Sequence, residues 1–248
     1  MARPTHHACV VIGGGPAGLA AAATLALAGL DVALAAGSSP GTGRAAGSRD
    51  AAAAAETRTA ALFPPAIALL ERLGAWGELA PLCAPLTAIR LVDSSGSVLK
   101  APQIVFSAGD LGLSNLGYNV PNDGLVEALR GAARRLGVTV LDNGLATSVR
   151  AGADIAHVDL VGGQQISADL LVAADGRGSA TREAAGIAVR RWTYEQAALS
   201  CRFHHSRPHG GVSTELHGPA GPCTTVPLPG NASSLVWMDH PTEIERLK

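Results

Sequence analysis

The feature that most restricts this chain is Gly13-Gly14-Gly15-Pro16-Ala17-Gly18, set between two apolar segments. Residues 8–12 are short, apolar and partly β-branched, which predicts a buried strand that includes Cys9. Pro16 suits the first turn of a helix and Gly29 its end, so residues 16–28 are expected to be helical. Residues 31–35 return as a second apolar strand. A strand, a tight turn, a helix and a second strand in so short a stretch open a parallel sheet with a right-handed crossover. The glycines match G-x-G-x-x-G. Gly13 permits the turn, Gly15 lets the backbone approach a diphosphate, and Gly18 lets the helix lie close to the sheet. Free N–H groups at the helix start, with its dipole, then favour an anion. Gly13, Gly15, Pro16, Ala17 and Gly18 are therefore the first cofactor-binding candidates. Residues 8–30 carry no charge and are long enough to imitate a membrane span, but the glycines and Pro16 divide them into strand, turn and helix.

One position departs from this pattern. A dinucleotide site of this kind expects an acid at the end of the second strand, about 20 residues on, to bind the ribose hydroxyls. Ala36 stands there. Arg44 or Arg49 in the following loop are alternative contacts for the adenylate.

Farther along, Ile67, Leu69, Leu70 and Leu73 recur at helical spacing and predict a helix over 66–73. A second helix over 124–136 starts from a cap at Asn122 and stops at Gly137. Strands are expected at 117–120 and 138–141, and a hairpin at 87–93 and 97–100 across 94–96. Residues 145–150, 155–160 and 165–167 read as an antiparallel meander. Residues 169–174 read as another buried strand, ending in Asp175-Gly176-Arg177-Gly178 before a helix from about Ser179. Asp followed by Gly at a sheet's carboxyl edge sits where open α/β sheets bind ligands. The Asp175 carboxylate could accept from ribose hydroxyls or water, and Gly176 allows close approach; an ordinary Asp-Gly turn is the competing reading. Residues 197–205, 213–217, 223–226 and 234–238 read as strands of a second, mainly antiparallel sheet.

The formal net charge of −1 gives no broad attraction to nucleic acid. The four cysteines are far apart and form no CxxC pair, which argues against a disulfide framework or a thiolate zinc site and fits a reducing compartment. His204, His205, His209 and His217 match no standard zinc spacing, so no metal is expected. His209 reads as a structural or substrate-domain residue. Trp192 and Trp237 read as packing residues.

Several further segments resemble the FAD-dependent aromatic monooxygenases of the p-hydroxybenzoate hydroxylase class, and more narrowly the hydroxylases of ubiquinone biosynthesis. They are Glu56-Thr57-Arg58-Thr59-Ala60-Ala61-Leu62, Leu70-Glu71-Arg72-Leu73-Gly74-Ala75-Trp76, Gly117-Tyr118-Asn119-Val120-Pro121-Asn122, and Trp192 with Tyr194 and Gln196. Pro208-His209-Gly210 leading to Glu215 and Gly218-Pro219 is also similar. Asp175-Gly176 with Ser179 and Arg182 resembles that family's Asp-Gly motif. The resemblance runs from Cys9 to about Trp237. It implies an α/β fold: a Rossmann-type FAD-binding domain with a parallel sheet, from 1–83 and 121–187, and an incomplete, mainly antiparallel substrate domain, from 84–120 and 188–248. It also implies that Arg58, Asp175 and Gly176 join the glycine turn in holding FAD.

The implied reaction is hydroxylation of a small aromatic substrate, a prenylated phenol, through a flavin hydroperoxide with NAD(P)H as reductant. The flavin carries the chemistry, so no catalytic acid–base residue is assigned. The expected setting is the cytoplasm, with a lipophilic substrate drawing the protein to the inner-membrane periphery. The family's second flavin motif, Gly-Asp-Ala-Ala-His, is absent, and the sequence stops inside an expected helix, which suggests a fragment that binds FAD weakly. A halogenase is disfavoured, since no Trp-x-Trp-x-Ile-Pro segment is present. A prenyl reductase of the same fold, an inactive nucleotide-binding remnant and a nicotinamide-only dehydrogenase stay open as alternatives.

Overall fold

The computed structural model describes residues 5–37, 57–141, 144–152 and 154–247. In chain order the first elements are β1 (Thr5–Ile12), α1 (Pro16–Leu27), β2 (Val32–Ala35), β3 (Thr59–Leu62), α2 (Pro64–Arg72) and α3 (Trp76–Leu79). Next come β4 (Ala84–Leu86), β5 (Ala88–Asp93), β6 (Ile104–Ser107), β7 (Gly117–Pro121), α4 (Asn122–Arg135) and β8 (Thr139–Leu141). Then follow β9 (Ala146–Ala151), β10 (Ala156–Leu160), β11 (Gln165–Ala173) and α5 (Ala180–Ala184). The last are β12 (Ala197–His204), β13 (Val212–His217), β14 (Pro222–Leu228), β15 (Ala232–Asp239) and α6 (Pro241–Leu247). The described residues fall into two compact units. One takes in residues of Met1–Ala53, Leu70–Trp76 and Leu125–Arg191; the other takes in Ala54–Leu69, Gly77–Gly124 and Trp192–Lys248.

The first unit is built on a sheet of order β8-β2-β1-β11-β10-β9. β8, β2, β1 and β11 run parallel, and β10 and β9 continue the sheet antiparallel. β1 sits between β2 and β11, so the chain leaves β1 where connections diverge to its two sides, the position at which open α/β sheets bind ligands. The central strands are apolar on both faces, as parallel strands must be when both faces are covered. Cys9, Val10, Val11, Ala33 and Leu34 are fully buried. Val10, Ile12, Ala33, Ala35, Val158, Leu160, Ile166 and Ala168 form one core cluster. In α1 the residues Gly18, Leu19, Ala22 and Ala23 are buried; in α4 they are Leu125, Ala128, Leu129, Ala132 and Ala133. The small side chains let both helices lie close to their neighbours. No helix among the described residues is long and apolar enough to cross a membrane.

The second unit holds a sheet of order β12-β15-β14-β13-β5-β6, antiparallel except between β13 and β5, and a small antiparallel sheet of order β3-β7-β4. Buried Asn119 of β7 donates to Pro227 O of β14 (2.8 Å), and Thr59 and Ser234 hydroxyls meet at 3.2 Å. The imidazole of His209 is structural here. Its Nε2–H faces Leu228 O (2.9 Å) and Gly230 O (3.0 Å), while Nδ1 accepts from Gly211 N (3.0 Å), which assigns the tautomer.

Three expectations need correction. The antiparallel partner of β5 is β6, not residues 97–100. Asp93 ends β5 and its carboxylate accepts from the N–H groups of Ser95 (2.9 Å) and Ala101 (2.8 Å), folding the intervening residues into a loop. A hydrogen bond from the Ser95 side chain foremost, then those from the Ser95 and Ala101 N–H groups, hold the Asp93 carboxyl down at about 2. Residues 165–167 and 169–174 are not separate strands but one strand, β11, and its second half is not buried: Leu170 is 49% exposed. β10 reaches β11 only as far as Ala168, so beyond it β11 has β1 alone as a neighbour. Trp192 is an exposed side chain rather than a packing residue, and its indole N–H donates to Tyr194 Oη (2.8 Å).

Leu34 tests the parallel core most simply. Leu34→Ala should cost about 2–5 kcal/mol, because a fully buried leucine leaves a cavity that a sheet centre cannot collapse. Urea denaturation of the two proteins checks it; a loss under about 1 kcal/mol would contradict this packing.

Candidate functional site

The site is built at the carboxyl ends of β1, β2 and β11. Gly13 N donates to Ala35 O (3.0 Å), and Ala174 N donates to Ile12 O (2.8 Å), so the turn after β1 is stitched to both neighbouring strands. Gly13 has φ +122°, which favours glycine, and a Cβ there would overlap the Ala174 carbonyl and lie 2.9 Å from Asp175 N. A Cβ at Gly18 would overlap Gly13 O, and one at Gly14 would lie 2.9 Å from the Ala36 Cβ. Gly15 differs: its backbone is extended, and a Cβ there would meet nothing within 4 Å. Three glycines are thus required by packing inside the protein, whereas Gly15 faces open space.

α1 begins directly behind this turn. No side chain caps it, Pro16 occupies its first position without an N–H, and Leu19 N donates to Gly15 O (3.0 Å) as the first turn closes. The amides ahead of Leu19 therefore point along the helix axis towards the open side of the turn. A shallow cradle of main chain with a positive helix end suits a diphosphate. The residues present fit that group.

Asp175 and Gly176 reach the same edge through β11, as the sequence suggested. The carboxylate, however, is turned into its own loop. It accepts from the Ser179 hydroxyl, from Thr181 N (3.1 Å) and from Thr181 Oγ1 (3.0 Å), while Ser179 Oγ accepts from Arg182 N (2.9 Å). Asp175 and Ser179 together cap α5 and fix the path of Gly176, whose φ is +86°. Partial burial by itself would raise the Asp175 pKa, but the hydrogen bonds from Ser179 and Thr181 outweigh it and hold the carboxyl below its ordinary value.

Arg58 belongs to the second unit, beside the start of β3, where its carbonyl accepts from Asn122 N (3.2 Å). Glu56, Arg44 and Arg49 lie outside the described residues. Ala36 is buried at the end of β2, and Ala36 N donates to Leu141 O (3.1 Å). Sequence reasoning missed Arg130. This residue of α4 brings Nη2 to 3.9 Å from where a Gly14 Cβ would be, on the side of the turn where Ala36 lies. Its only signal was an arginine at the margin of an apolar helix stripe. Among the described residues no three His, Cys, Asp or Glu side chains gather as metal ligands.

The parallel sheet, the glycine turn and the uncapped helix define a Rossmann-type dinucleotide-binding protein. The chain belongs to the FAD binding domain family, which matches residues 6–215. It is 34% identical over 232 residues to ubiquinone hydroxylase UbiL of Rhodospirillum rubrum, covering 93% of this chain and 51% of that protein. It is 31% identical over 195 residues to 3-demethoxyubiquinol 3-hydroxylase of Escherichia coli, covering 78% of this chain and 49% of that one. The chain spans about half the length of these curated relatives. Among solved structures it is similar to Klebsiella pneumoniae HpxO complexed with FAD, with TM-score 0.72 and 22% identity, over 94% of this chain and 57% of that chain.

Two predictions follow from the geometry. Gly13→Ala and Gly18→Ala should each cost about 2 kcal/mol or more, whereas Gly15→Ala should stay within about 1 kcal/mol of the parent in denaturant titrations. Equal losses at all three positions would contradict the turn. For Asp175, a carboxyl depressed in the folded state stabilises the protein above its ordinary pKa of 3.8 and ceases to as pH falls through the folded value. Asp175→Asn should therefore be less stable than the parent at pH 6, with the difference shrinking in the acid range below pH 4. A difference independent of pH would rule out the ionised capping role.

Proposed function

We propose that this chain is the flavin-binding portion, with part of the substrate domain, of a monooxygenase that hydroxylates an aromatic ring. The substrate class is a prenylated phenol of ubiquinone biosynthesis, and NAD(P)H is the reductant. The observation that carries this reading is the 34% identity to a ubiquinone hydroxylase across 93% of the chain.

In this reading the main-chain amides of Gly15, Ala17 and Gly18 hold the FAD diphosphate, and Pro16 presets the helix start behind them. Gly13 carries the turn, and Gly15 gives the diphosphate room that any side chain would take. Asp175 orders the loop that brings Gly176 to the cofactor. Arg58 is a flavin or phosphate contact. FAD, when bound, supplies the oxygen-activating chemistry. The protein's own part is to bind and orient both partners and to keep water from the reacting ring. A prenylated substrate would draw the protein to the periphery of the inner membrane from the cytoplasm.

The test supplies the purified protein with FAD, NADH or NADPH, a prenylated phenol and isotopically heavy oxygen gas. One heavy oxygen atom per hydroxylated product is expected, and Gly15→Val should give a folded protein that retains no flavin and forms no product. Product formed without oxygen, as a prenyl reductase would give, or product oxygen taken from water would contradict the proposal.

A further inference from the structure

Recognition of the adenosine ribose by a dinucleotide-binding sheet ordinarily falls to a carboxylate at the end of the second strand. Here that position is Ala36, whose methyl group is buried and can accept no hydrogen bond. The surroundings of that strand end are not wholly apolar. A Cβ at Gly14 would lie 2.9 Å from Ala36 Cβ and 3.9 Å from Arg130 Nη2, so the apolar strand end and the guanidinium flank the same point of the glycine turn. Arg130 is half-buried on α4, held by a helix whose Leu125, Ala128, Leu129, Ala132 and Ala133 are buried in the unit. The helix that carries Arg130 is therefore fixed by its packing in the unit.

We propose that Arg130 is a binding residue for the adenosine half of the cofactor, taking the place of the missing carboxylate. This rests on the reading of the turn as a diphosphate cradle. A carboxylate could only accept from ribose hydroxyls and would repel the neighbouring phosphates. A guanidinium donates instead, to the ribose hydroxyl oxygens or to the oxygens of the adjoining phosphate, with the charge favouring the anion. The adenosine end is then recognised by a cation, and the affinity for its phosphates is raised rather than lowered by the residue beside the ribose.

The experiment measures binding, not turnover. FAD is titrated into the flavin-free protein by fluorescence, and ADP by calorimetry, for the parent, Arg130→Gln, Arg130→Lys and Gly15→Val, with a thermal melt for each to confirm folding. Arg130→Gln should weaken FAD and ADP alike by about tenfold or more, since a charge-assisted contact to the shared adenosine diphosphate half is lost. Arg130→Lys, which keeps the charge without the planar fork, should lose less, so it serves should the glutamine variant fail to fold. Gly15→Val should abolish binding of both ligands. If Gly15→Val abolishes binding but both folded Arg130 variants bind like the parent, the assignment of Arg130 is overturned while the cradle stands. If the parent binds neither ligand, or Gly15→Val binds both normally, the cradle itself is wrong and the assignment falls with it.

Discussion

The first unit depends on main chain meeting main chain where β1 ends. Gly13 lies against the carbonyl of Ala174, and Gly18 of the following helix lies against Gly13, with no space for a Cβ at either place. Those two contacts set how α1 leaves the sheet. They aim its first amides at the open side of the turn and bring the end of β11 beside it. A methyl group at either position would push the helix away and separate the Asp175 loop from the glycine turn. The packing that folds the unit is thus also what assembles its ligand edge.

The charges around that edge differ in kind and in place. Asp175 is ionised but occupied, with both carboxylate oxygens committed to Ser179 and Thr181, so it shapes the loop rather than meeting a ligand head-on. The strand end at Ala36 offers no charge. The helix start offers partial positive charge through its amides, and Arg130 offers a full one nearby. The result is an edge biased towards anions on the side of the second strand, and on the side of β11 a loop whose carboxylate is held in its own hydrogen bonds.

Much of this was legible in the sequence because short-range spacing encodes it. Gly13, Gly15 and Gly18 follow the geometry of a strand-to-helix turn, and the apolar runs of β1, β2 and β11 mark strands of a parallel sheet. The place of Asp175 was legible too, but not its partners, since the orientation of its carboxylate is decided by where Ser179 and Thr181 fall in the first turn of α5. The β5–β6 pairing was hidden because the Asp93 carboxylate organises a longer loop than the small-residue run 94–96 suggested. The exposure of Leu170 was hidden because β10 stops short of β11's end, a matter of register that composition does not carry. Arg130 could not have been found from periodicity: it meets Gly14 only after α4 docks on the unit.

The central claim is that the main-chain amides at the first crossover hold a dinucleotide's diphosphate. A crystal structure of the protein with ADP tests it most directly. The diphosphate should lie against the N–H groups of Gly15, Ala17 and Gly18, with the ribose directed towards Ala36. A nucleotide bound elsewhere on the protein, or residues 14–18 folded so that their amides are met by other protein groups, would contradict the account.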